Sequence, residues 1–170
     1  MILEKVCKMN LSKNNDSIKS EVYTEDKTIQ EMFLKMTGRL NRLRYFKRVI
    51  VVALVSLVVS FPILMIFIDD LGNITPLGNI VNAIINLATF IPLYCLDVRR
   101  LHDLDKDETL AKISLGLGVV GTIMGMNNED LSSISAVEMI IYGISSVIGL
   151  YILLAPGTKG ENKYGHDPLG

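Results

Sequence analysis

Apolar positions in this chain gather into long runs instead of alternating with polar ones. The clearest run, 49–68, holds twenty residues without a charge. A helix of that length covers roughly 30 Å, the thickness of a bilayer's hydrocarbon core. Pro62 lies inside the run and is expected to kink it or loosen one turn. A second run, 77–96, follows Thr75 as an N-cap and Pro76 in the first turn. The third, 110–126, is shorter and contains Lys112, whose ammonium must snorkel to the interface. Ser114, Gly118, Gly121 and Gly125 give this segment a small-residue face for close helix packing. The fourth, 136–155, contains Glu138, but Ser135 and Glu138 have capping-box spacing. Gly143, Ser146 and Gly149 offer it a second small face.

Ahead of these runs, Ile29, Met32, Phe33, Met36, Leu40 and Leu43 recur at helical spacing. They predict an amphipathic segment at the membrane surface, with a turn at Gly38 and an N-cap at Asn41. Residues 1–28 are polar and predict a flexible tail. Residues 156–170 are turn-rich and predict an ordered loop. The fold expected for residues 29–168 is all-α, a four-helix transmembrane bundle.

Composition changes little in this picture, whereas charge placement changes much. A net charge of −1 removes bulk attraction to nucleic acid as an explanation. Cys7 and Cys95, one near the start and one inside an apolar run, are not expected to form a structural disulfide. The first thirty residues carry no apolar core of a secretory signal, so a cleavable signal peptide is not expected. Four spans put all seventeen Lys and Arg residues on one side of the bilayer, with Lys112 snorkelling to it. The opposite loops, 69–76 and 127–135, hold Asp69, Asp70, Glu129 and Asp130 and no basic residue. Basic residues accumulate in cytoplasmic loops, so both termini are expected in the cytoplasm and the chain in the cell membrane.

Three polar stretches meet on that face. Gly38, Arg39, Arg42 and Tyr45 precede the first span, and Arg99-Arg100-Leu101-His102-Asp103 follows the second. Gly157, Thr158, Gly160, Asn162, Tyr164, Gly165, Asp167 and Pro168 follow the fourth. In this order the three motifs resemble the domain-of-unknown-function family 805, bacterial multi-pass inner-membrane proteins, over about residues 33 to 168. The resemblance implies a membrane location and a fold and leaves activity open. After Asp103 the family usually continues with glycines and tryptophans. This chain continues Leu104-Asp105-Lys106-Asp107-Glu108 and has no tryptophan at all.

Arg39, Arg42, Tyr45, Arg99, Arg100, His102, Asp103, Asn162 and Asp167 are therefore the candidate cytoplasmic cap. Helical spacing suggests that Arg99 pairs with Asp103 and that Asp97 pairs with Arg100. Such a cap serves as a structural network or as a site for phosphate or an anionic lipid headgroup. The rival reading is a small oligomeric transporter or channel. It rests on Asn79, Asn82 and Asn86, which with Thr89 share one face of the second span. Two His-Asp pairs, at 102–103 and 166–167, are too little to assign a metal, and no nucleophile motif accompanies His102. No catalytic residue, metal or cofactor is assigned. The expected partners are membrane lipid and other copies of the chain, and nucleic acid is not among them.

Overall fold

The computed structural model describes residues 26–70, 73–126 and 134–168. Among them are five helices, α1 (Ile29–Leu34), α2 (Arg42–Ile66), α3 (Pro76–Asp103), α4 (Thr109–Gly125) and α5 (Ala136–Leu154), and no named strand. Residues 1–25, most of the expected flexible tail, lie outside the described residues.

The amphipathic segment is divided where glycine allows it. Thr28 and Glu31 form a capping box that starts α1, and the helix ends after six residues. Gly38 then turns the chain with φ +82°, a conformation that costs glycine little. Asn41 caps α2 as expected, its side chain accepting from the Arg44 amide at 2.9 Å.

Both of the first two long helices outrun their apolar stretches at the basic end. α2 begins at Arg42, and α3 continues to Asp103. Pro62 and Pro92 lie within them. Thr75 caps α3 with Pro76 in its first turn. The connection back from α2 is tight, with the Thr75 amide donating to Phe67 O at 2.9 Å. α3 ends in a Schellman motif, in which Lys106 N donates to Leu101 O and Asp105 N to His102 O. Asp105 takes the left-handed position at φ +56°, where glycine is the usual residue.

The small-residue face of α4 is used on both sides. A Cβ on Gly118 would come within 2.9 Å of the Phe90 ring on α3, and one on Gly121 within 3.2 Å of Tyr142 on α5. The face proposed on α5 is not used this way, because added Cβ atoms at Gly143 and Gly149 would meet nothing within 4 Å. Gly143 is exposed and Gly149 half-buried. Lys112 pairs with Glu108 at 2.6 Å on the exposed first turn of α4. Glu138 is almost fully buried at 2% exposure, closing the Ser135 capping box.

Successive long helices pack on one another, and α5 returns against α2 and α3. The buried core gathers at the basic end, where Leu40, Tyr45, Leu96, Leu101, Ala111 and Ile152 meet. Elsewhere the long helices expose large apolar side chains, among them Val58, Ile84 and Val147. That distribution suits a lipid surround, in which apolar side chains need no protein cover. α2, α3 and α5 are each long and apolar enough to cross a membrane, while α4 is apolar but has 17 residues.

Candidate functional site

The cap is built on Asp103, the last residue of α3. One carboxylate oxygen takes Arg39, through Nε at 3.2 Å and Nη2 at 3.1 Å. The other takes Nη1 of Arg100. Both arginines then spend their remaining donors on backbone carbonyls. Arg39 reaches Thr158 O, Gly160 O and Gly165 O. Arg100, fully buried, reaches Ile152 O at 3.0 Å, Ala155 O and Leu40 O. Ile152 and Ala155 lie at the C-terminal end of α5, whose last carbonyls lack helical donors. A guanidinium there satisfies them and complements the negative end of the helix dipole.

The C-terminal segment is drawn onto the backbone carbonyls at the same helix end. The Asp103 carbonyl accepts from the Thr158 amide at 2.8 Å and from its hydroxyl at 3.0 Å. Asn162 donates to His102 O at 2.9 Å and to Thr158 Oγ1 at 3.0 Å. Asp167 accepts from the Gly160 amide at 2.9 Å. The His102 ring stacks on Tyr164 with centroids 3.8 Å apart, and its Nδ1 lies 3.3 Å from Gly38 O. That contact needs the proton on Nδ1, which suits a clamp between two loops.

Two of the pairings read from helical spacing are corrected. Arg100, not Arg99, pairs with Asp103, and Asp97 accepts from the Tyr45 hydroxyl at 2.8 Å. Asp103 faces the C-terminal segment together with Arg100, three residues back, while Arg99 points towards α1. There it meets Asp26 at 2.8 Å and Glu31 O at 3.2 Å. Arg48 of α2 converges on the same Asp26 oxygen at 2.8 Å. Burial raises the Asp26 carboxyl, but hydrogen bonds and charge from Arg99 and Arg48 outweigh it and hold the pKa below the ordinary carboxylate value. Sequence reasoning missed Asp26 and Arg48. The available signal was the Thr28–Glu31 capping-box spacing, which marks a helix start just beyond Asp26.

Arg42 joins the basic end but stays exposed at the start of α2. Of the polar stripe on α3, Asn82, Asn86 and Thr89 face Ser56 and Ser60 of α2 across a cleft of about 460 Å³. Asn79 lies outside that lining. Thr89 bonds back to Ile85 O at 2.9 Å and lies 3.4 Å from the Ser56 hydroxyl. Among the described residues no group of three or more His, Cys, Asp and Glu side chains is placed to hold a metal ion.

No curated protein and no solved structure matches the chain. The family described as protein of unknown function (DUF805) matches residues 33–166, a stretch that takes in Arg39, the α3 terminus and nearly all of the C-terminal segment. This membrane-helix protein, with its three motifs tied together through Asp103, belongs to the DUF805 family.

Proposed function

We propose that the chain is a four-span, non-enzymatic protein of the cytoplasmic membrane, with both termini in the cytoplasm. Its Arg39–Asp103–Arg100 cluster is structural, and the basic surface around it binds the phosphate of anionic lipid headgroups. The observation that carries this reading is the saturation of Arg39 and Arg100 by internal acceptors. Arg42 and Lys47 remain exposed at the same end, on a helix whose first turn contains no acid. Helix N-termini favour anions, and the cytoplasmic leaflet supplies them.

Native mass spectrometry from mild detergent should find phosphatidylglycerol retained over phosphatidylcholine. Arg42→Gln with Lys47→Gln should reduce that retention without unfolding the protein. Equal retention of both lipids would remove the anionic-lipid reading, and a reporter at Gly170 found outside the cell would remove the topology.

The polar cleft favours a second reading, a small oligomeric transporter or channel. Amides are costly to place in lipid, and Asn82 and Asn86 line that cleft, where water, a polar solute or another chain would solvate them. On this reading Asn82→Leu with Asn86→Leu abolishes solute flux in liposomes and leaves the helical circular dichroism unchanged. Flux at the wild-type rate would exclude the cleft as a path.

A further inference from the structure

Arg48 and Arg99 belong to different helices, yet both place Nη2 2.8 Å from one atom, Asp26 Oδ2. Lys35 stands 3.8 Å from the other carboxylate oxygen, and Arg44 lies within electrostatic range of both arginines. Several cations thus surround one carboxylate. The fit is also incomplete. Arg99 Nε, on a side chain only 6% exposed, has no hydrogen-bond partner among the described residues, nor has Asp26 Oδ1. A phosphate group offers tetrahedral oxygens that can engage Arg99 Nε as well as the two Nη2 donors that Asp26 Oδ2 already takes.

The segment carrying Asp26 is held mainly by polar contacts. It leads into α1, a helix with no buried residue. Arg48 and Arg99 hold that helix through the carbonyls of Met32 and Glu31. Few buried apolar contacts mean a low free energy of local opening.

Below α1 runs a groove of about 710 Å³, walled mainly by Ile29, Phe33, Val55, Val59, Ile84 and Ala88. Arg48 shares a face of α2 with Val52, Val55 and Val59, at helical spacing, and Arg99 lies two turns beyond Pro92 on α3. The groove's lining on α2 begins at Val51, about one turn beyond Arg48, and runs roughly 12 Å to Val59. Cations at the membrane's edge above an apolar slot match a phosphate joined to an acyl chain.

We propose that Arg48 and Arg99, together with this groove, form a site for one anionic phospholipid, and that the Asp26 carboxylate occupies the phosphate position until the lipid displaces it. The proposal rests on the anionic-lipid reading above and adds the site, the occupant and an internal competitor.

The test titrates the whole purified protein, in zwitterionic nanodiscs, with phosphatidylglycerol. Phosphatidylcholine and inorganic phosphate serve as comparison probes. Asp26→Asn should tighten phosphatidylglycerol binding about tenfold, the gain expected if the site is open about a tenth of the time. Thr28→Ala, which loosens the start of α1 and leaves Asp26 in place, should move affinity in the same direction. That variant keeps the proposal testable if Asp26→Asn folds poorly. Arg48→Gln with Arg99→Gln should reduce binding to the phosphatidylcholine level, and Ala88→Phe should block the lipid by filling the groove. If both arginine changes abolish binding while Asp26→Asn and Thr28→Ala leave it unchanged, the competitor role falls and the anionic-lipid reading stands. Inorganic phosphate binding as tightly as the lipid would overturn the groove. Phosphatidylglycerol binding no better than phosphatidylcholine in every variant would overturn both readings.

Discussion

Replacing Asp103 with alanine is expected to destabilise the protein by about 3–5 kcal/mol, the usual cost of removing one partner from a buried ion pair. Asp103 is 3% exposed, Arg39 6% and Arg100 0%. Removing the carboxylate leaves two guanidiniums buried together, with carbonyl partners but no counter-charge. Mutual repulsion should drive Arg39 towards water, and with it the hold on the carbonyls of Thr158, Gly160 and Gly165. In a domain of this size such a loss lowers the melting temperature by about 6 °C or more. With no tryptophan in the chain, circular dichroism in detergent is the natural measurement. A shift under about 2 °C would show that the cap does not hold the helices together.

Gly157→Ala should give the next largest effect, a loss of about 1–3 kcal/mol. A Cβ at this position would overlap Asp103 Oδ2 and stand 3.0 Å from its Cγ. Gly157 is not among the glycines with positive φ, so the cost is one of space, not of backbone conformation. The carboxylate cannot retreat without releasing Arg39 or Arg100. Faster hydrogen exchange in the 155–168 stretch, with exchange in α2 unchanged, would confirm where the strain goes. Unchanged exchange and melting would mean that the carboxylate has room the packing does not indicate.

The elements were legible where a single physical demand dictates the residues. A bilayer requires long charge-free runs, and these gave α2, α3, α4 and α5 to within a few residues at the ends away from the basic cap. Caps were legible because orphan amides need side-chain oxygens next to them, as at Asn41, Thr75 and Ser135. The residues of the cap were also in view, but not their partners. Helical spacing allows Asp103 to meet either Arg99 or Arg100, and the choice depends on where the chain returns some fifty residues later, at Ile152 and Ala155. Asp26 was hidden for a related reason. The Thr28–Glu31 spacing marks the helix start beside it, but its meaning comes from Arg99, far along the chain. Gly143 and Gly149 misled because a small residue marks a packing face only when a neighbour comes to fill it.

Ribosomal synthesis runs in one direction, and the cap's acceptors are distributed unevenly along it. Arg39, Arg100 and Asp103 emerge early. The carbonyls at 152, 155, 158, 160 and 165 that complete their bonding emerge last. Until then two guanidiniums share one carboxylate without most of their carbonyl partners, so the basic end of α3 is left incomplete. The cap's bonding is therefore complete only once the last of the three motifs is in place, so the order of synthesis makes it the final part of the fold to close.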